Sequence, residues 1–226
     1  MPGRLLSRSS APDEGRGAAT VPPPPRHPRG YILAKRAIDL VASALGLLVL
    51  VPVMTAVAVA VKSTSPGPVL FRQTRVGRAG RHFTILKFRS MRDRAKGMDI
   101  TASDDARITR VGRVLRRYKL DELPQLWNVL AGDMSLVGPR PEVERYVKLF
   151  EKEYARILTI RPGITDFAAL EYRDEESLLA SSPDPERTYQ EIVLPAKIRL
   201  YSRYLDEMSL GTDLLLILRT IGVLLK

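Results

Sequence analysis

Two adjacent carboxylates, Asp121 and Glu122, are the residues of this chain best placed for chemistry; they lie in KLDELPQLWNVLAGDMSLVGPRP, residues 119–141. Arg107, Arg110, Arg113, Arg116, Arg117 and Lys119 precede the pair, and Arg140 and Arg161 follow in turns bounded by proline. A carboxylate held among cations is expected to stay ionised at low pKa. It is then a nucleophile that needs no general base. The neighbouring carboxylate can hold a divalent metal. Metal and arginines together neutralise phosphate oxygens, which is most of what phosphoryl transfer requires. The plain alternative is structural. Asp is a favoured N-cap, Glu suits the first turn of a helix, and Pro124 is tolerated there. Capping is the commoner use of such a pair; the surrounding cations argue for chemistry.

Composition narrows the choices. The 226 residues include no cysteine and only two histidines, His27 and His82, so thiolate chemistry, a His-centred triad and a multi-histidine metal site all lack their residues. A metal here would be a hard ion on oxygen ligands, magnesium rather than zinc. Lys and Arg number 36 against 25 Asp and Glu. That balance calls for a polyanionic partner: nucleic acid, anionic lipid or a phosphorylated substrate.

The elements that must position these groups read as follows. Residues 1–30, rich in Pro, Gly and Ala, are expected to be a disordered tail. Leu40 to Val61 is a 22-residue stretch without a charge, about 33 Å as a helix and enough to cross a bilayer. Both its flanks are basic, which favours keeping both on one side, and Pro52 near its middle breaks or kinks a helix. A spanning helix and a hairpin that enters and leaves by one face both fit. Residues 65–91 read as a β-hairpin turning at Gly77 and Gly80, with arginines and Lys87 interleaved as a lipid-facing surface or a phosphate grip. Residues 106–119 read as a basic amphipathic helix, lying on lipid or on an ordinary surface. A helix over 121–131 ends at Gly132, another begins at Pro141, RPGIT (161–165) is a turn, residues 188–206 are helical with an interruption near Pro195, and an apolar helix closes the chain.

KRAIDL, the apolar stretch with its central proline, FRQTRVGR, LKFRSMR, the LDELPQ to VGPRP run and RPGIT occur in this order. Over residues 31–226 the chain resembles the bacterial sugar transferases, the monotopic phosphoglycosyl transferases. The resemblance implies transfer of a sugar 1-phosphate from a UDP-sugar to polyprenyl phosphate, with UMP leaving. It implies Asp121 as the nucleophile of a covalent phosphosugar intermediate and Glu122 at an Mg2+ site. It places phosphate-handling cations at Lys87, Arg116, Arg140 and Arg173, and Arg161 joins them as a candidate. It also tips the apolar segment toward a re-entrant helix broken at Pro52.

The expected architecture is therefore an α+β, mostly helical monotopic membrane protein. It has a tail (1–30), a re-entrant helix-break-helix (31–62), and a catalytic domain (63–226) with a small β-hairpin and interfacial amphipathic helices. With one apolar segment ahead of the catalytic part, the larger relatives with several extra spans are not the expected pattern. The site is expected on the cytoplasmic face of a bacterial inner membrane, with anionic lipid as a partner, no nucleic acid, and oligomerisation left open. The rival class is a non-enzymatic basic protein at a membrane surface or on nucleic acid. Val51 stands where relatives carry a Ser before the proline, which puts the kink's geometry in question. Asp166 stands where many carry a Gly, in a region expected to shape the donor pocket.

Overall fold

The computed structural model describes residues 28–92, 101, 103 and 105–224. The expected disordered tail lies outside these residues up to position 27. A long helix, α1 (Arg29–Thr64), leads into the hairpin β1 (Leu70–Val76) and β2 (His82–Phe88). Then come α2 (Arg110–Arg117), a 3₁₀ turn over Leu120–Glu122, α3 (Gln125–Ala131) and the short strand β3 (Ser135–Val137). Helices α4 (Glu144–Leu149) and α5 (Glu151–Ile157) precede β4 (Gly163–Thr165). The chain closes with α6 (Phe167–Glu171), α7 (Glu175–Ala180), α8 (Pro185–Thr188), a π turn over Tyr189–Val193, α9 (Leu194–Glu207) and α10 (Leu210–Leu224).

The hairpin pairs Leu70 with Phe88 through Val76 with His82, turning over Gly77–Arg81 as expected. Four readings need correction. First, α1 is helical without interruption through Pro52. The missing N–H costs one bond, and the turns on either side supply enough others to carry the helix on. Second, the helix expected from Pro141 starts at Glu144 and parts at Phe150, whose φ −129° and ψ 45° interrupt it. Third, RPGIT is more than a turn: Gly163 and Thr165 pair in parallel with Ser135 and Val137. Gly163 and Gly138 approach so closely that only glycine fits, since a Cβ on Gly163 would sit 2.1 Å from Gly138 N. Fourth, Asp121 lies in the 3₁₀ turn, and neither that turn nor α3 is capped by a side chain.

The core forms where α4, α5 and α9 meet, around Tyr146, Tyr154, Leu194 and Tyr201. A second cluster joins α9, α10 and β3 through Tyr204, Leu205, Leu216 and Val137. Helix α1 lies along this body. Near its start Arg36 donates to the carbonyls of Val129 and Leu130, and Asp39 accepts from Leu136 N at 3.0 Å. Midway, Gly46 faces Leu126. Near its end Val57 and Val61 pack with Phe88 and Leu115. Beyond it, the Arg89 guanidinium donates to the carbonyls of Ser65 and Pro66, each at 2.7 Å, and fixes the exit. The other sides of α1 leave Leu33, Val41, Leu45, Leu48, Val49 and Val59 exposed, as α10 leaves Leu214, Leu218 and Ile221.

Candidate active site

The dyad sits where three elements converge. Strand β2 brings Lys87, the 3₁₀ turn brings Asp121 and Glu122, and the turn after β3 brings Arg140. The registration of α3 on β2 comes from Asn128, which accepts from Leu86 N at 3.0 Å and donates to Thr84 O at 2.8 Å, so its amide acts as a strand neighbour. The far end of α3 is closed by Gly132 at φ 94°. Lys119, two residues before Asp121, adopts a left-handed conformation at φ 53°. A non-glycine residue pays to be there, and such strain persists only where the surroundings enforce it. Ser90 O accepts from Thr109 N, and a Cβ on Gly112 would meet it at 1.8 Å, so α2 is pressed onto the strand end beside the dyad.

Both Glu122 oxygens are engaged. Lys87 Nζ donates to Oε1 at 3.2 Å, Arg140 Nη1 donates to Oε2 at 3.0 Å, and Arg140 Nη2 also donates to Oε1. Burial pushes the Glu122 carboxyl up, but Arg140 and Lys87 outweigh it and hold it well below the usual range. Burial pushes the Lys87 ammonium down, partly offset by Glu122. Asp121 differs. It is 5% exposed, and its Oδ1 is buried with no partner. Burial first, then the charge of Glu122, push its carboxyl up to about 6, against the pull of Lys87, Arg116 and Lys119. The expectation of a low pKa is thus overturned: Lys87 and Arg140 are bound to Glu122, and among the described residues no cation forms an ion pair with Asp121. The capping role fails too, since no backbone N–H takes up that oxygen.

The other expected cations are placed as follows. Arg116 donates to Ser90 Oγ at 2.8 Å and to Glu176 at 2.6 Å, close enough to Asp121 to act on its carboxyl. Arg173 lies in the junction between α6 and α7, beside Glu175 and Glu176. Arg161 is not brought to the cluster; its Nε donates to Gly132 O at 2.8 Å, near Arg36 and Arg78, where a cation complements the C-terminal end of α3. The hairpin cations also divide: Arg75 pairs inward with Glu142 at 3.3 Å and Arg89 is buried, while Arg72, Arg78 and Arg81 face outward.

Sequence reasoning missed the partners of these groups. Buried Glu142 accepts from Tyr189 OH at 2.5 Å and faces Lys197 at 3.8 Å, and Lys197 pairs with Glu175 at 2.9 Å. The acidic DEE run at 174–176 carried a signal for the last of these; nothing in sequence marks the buried pairing of Glu142. Asp166 is fully buried, so it does not line a pocket for donor. Gln125 is fully buried as well, with neither side-chain polar atom paired, one turn after Asp121.

This assembly joins an unpaired buried carboxylate, a second carboxylate clamped by cations, and a Pro-Arg-Pro turn, all within one continuous match: the profile of the family described as bacterial sugar transferase covers residues 30–226. The chain belongs to the bacterial sugar transferase family. It is 39% identical over 200 residues to an Aeromonas hydrophila protein named UDP-N-acetylgalactosamine-undecaprenyl-phosphate N-acetylgalactosaminephosphotransferase, covering 86% of this chain and 44% of that protein. It is 42% identical over 198 residues to a Caulobacter vibrioides protein named UDP-glucose:undecaprenyl-phosphate glucose-1-phosphate transferase, covering 85% and 70%. An Escherichia coli protein with that same name is 39% identical over 196 residues, covering 84% of this chain and 39% of its own length. This sugar transferase chain therefore spans less than half of the Aeromonas and Escherichia relatives and most of the Caulobacter one.

Proposed function

We propose that this chain transfers a sugar 1-phosphate from a UDP-sugar to polyprenyl phosphate. An Asp121 oxygen attacks the sugar-bearing phosphorus, and the bond to the UMP oxygen breaks with its electron pair leaving on UMP. An anionic oxygen of polyprenyl phosphate then attacks the acyl phosphate, forming the diphosphate-linked sugar and freeing the Asp121 carboxylate. The observation that carries this reading is the unpaired, buried Asp121 Oδ1 beside a cation-clamped Glu122. In this reading Arg140 and Lys87 receive phosphate oxygens, and burial of the site strengthens each such interaction. The acceptor needs no base because its attacking oxygen is already ionised.

Mg2+ fits the donor set. Asp121 Oδ1 is a hard oxygen without a partner, and Glu122 stays ionised. Among the described residues no group of three or more His, Asp or Glu gathers. A magnesium ion would be held by Glu122, beside the Asp121 nucleophile. When bound it supplies charge neutralisation at the diphosphate.

The decisive assay combines purified protein, polyprenyl phosphate and a panel of UDP-sugars, with UMP release as the readout. Turnover with one donor supports the reading, and none with any donor sinks it. In the same assay Arg140→Ala and Arg173→Ala should lose far more activity than Arg110→Ala or Arg113→Ala. The latter two side chains are exposed on α2 and contribute about 1 kcal/mol each near an anionic surface. Equal losses at all four would mean a general basic surface rather than a site.

The topology belongs to the same proposal: α1 is held within one leaflet, with both of its ends and the active site at the cytoplasmic headgroups. Support comes from contacts of one catalytic body with both ends of α1, at Arg36 and Asp39 and again at Val57 and Val61. A helix standing straight across the bilayer would hold those ends on opposite sides. The test is a single cysteine at position 29 or 72 in a chain that has none of its own. An impermeant thiol reagent should label neither in intact cells and both after permeabilisation. Labelling of position 29 alone in intact cells would establish a spanning helix.

A further inference from the structure

We infer that Asp166 is a positioning residue for the reaction: it fixes the backbone of Arg140, and through it the Arg140–Glu122 pair. The inference rests on the reading of Arg140 and Glu122 proposed above.

The starting point is the Pro-Arg-Pro sequence at 139–141. Proline has no N–H. Between Gly138 and Glu142 the turn therefore has one backbone donor, the N–H of Arg140, at the very residue whose guanidinium grips Glu122. That N–H donates to Asp166 Oδ2 at 3.2 Å. The other carboxylate oxygen, Oδ1, accepts from Ala169 N at 2.6 Å and caps α6. One buried carboxylate thus ties the turn that presents Arg140 to the helix that leads to Arg173.

The turn has other ties on both sides of Arg140. Upstream, Gly138 N donates to Thr165 O, and Gly163 N donates to Pro139 O, each at 2.9 Å. Downstream, Arg75 Nη1 donates to Pro141 O at 3.2 Å and Val76 N donates to Glu142 O at 2.9 Å. These bonds hold the turn to β4 and β1, but none of them takes up the Arg140 N–H. Without Asp166 Oδ2 the Arg140 N–H would be left without its acceptor, and the peptide that carries the guanidinium could rotate between its tied neighbours. An active-site group displaced by about 1 Å can cost on the order of 100-fold in rate.

The two oxygens have separable jobs, which gives a clean test. Asn and Ser are both good N-caps, so Asp166→Asn and Asp166→Ser keep an oxygen for Ala169 N. Neither offers a second acceptor to Arg140 N. With the UDP-sugar that gives turnover, both variants should lower kcat for UMP release about 10- to 100-fold. KM for the donor should move much less, and circular dichroism should be unchanged. In an Arg140→Ala background, Asp166→Asn should cost little more, because the group it positions is gone.

Near-normal kcat in both Asp166 variants would make the residue a helix cap only and overturn the inference. The same fractional loss with and without Arg140 would overturn it too, and so would failure of both variants to fold. Full activity of Arg140→Ala would sink the underlying reading of Arg140 instead, which is a different result from a silent Asp166.

Discussion

Asp121→Asn is expected to abolish UMP release, by a factor on the order of 10⁴ or more, the scale on which loss of a covalent nucleophile acts. An amide oxygen cannot form the acyl phosphate. The same variant should be more stable than the native chain at alkaline pH. Burial and Glu122 raise the Asp121 carboxyl from 3.8 to about 6 in the folded protein. A group raised on folding stabilises the fold below its unfolded value, and that contribution is lost as pH climbs through the folded one. Above pH 7 the native chain therefore carries an ionised, unpaired carboxylate in its interior. Asn carries no such charge, so thermal unfolding should favour the variant by on the order of 2 kcal/mol at pH 8 and by little below pH 4. Native activity should rise with pH through about 6 as the nucleophile ionises. Mass spectrometry of donor-loaded enzyme without acceptor should find the phosphosugar on Asp121. An active Asp121→Asn enzyme would end the nucleophile reading, and an inactive variant with no gain in stability would end the account of the buried charge.

Gly163→Ala is expected to be the most damaging change of a single methyl group. The added carbon would lie 2.1 Å from Gly138 N, 2.4 Å from its O and 2.6 Å from its Cα. All three are backbone atoms, so no side chain can swing aside. Relief requires β3 and β4 to separate, with loss of the pairing of Ser135 to Gly163 and Val137 to Thr165. A cost above about 3 kcal/mol is expected, a fall in melting temperature of about 6–12 °C for a chain of this size. UMP release should fall as well, because the same turn presents Arg140. Gly30→Ala is the control: nothing lies within 4 Å of its added carbon, and both readouts should stay near native. A Gly163→Ala protein that melts like the native one would refute the close approach.

The sequence made the hairpin legible because its glycines and alternating residues are local signals, and the long apolar helix because its composition is. It hid the parallel pairing of β3 with β4. Each strand is three residues long, too short for a period, and the partners are far apart in the chain. Motif placed Lys87, Arg116 and Arg140 near the dyad, and the structure gathers them there. Arg161 shares the proline-bounded setting of Arg140 yet turns to the carbonyl end of α3; a turn's residue types do not state which way its side chain leaves. The state of Asp121 was illegible for a related reason. Counting cations along the chain suggested a low pKa, but in space Lys87 and Arg140 bind Glu122, and burial, with the Glu122 charge beside it, outweighs the cations for Asp121.

The bracing of α1 has a mechanical consequence. A helix of 36 residues is about 54 Å long, far more than the roughly 30 Å of a hydrocarbon core. A free helix meets such mismatch by tilting. This one is pinned by Arg36 and Asp39 at one end and by Val57, Val61 and the Arg89 clasp beyond the other, so tilt is not its own to adjust. In the proposed topology it would sit in a single leaflet and displace lipid area on one side of the membrane only. Its cost of insertion then follows the lateral pressure and spontaneous curvature of that leaflet, and acyl-chain length enters only weakly.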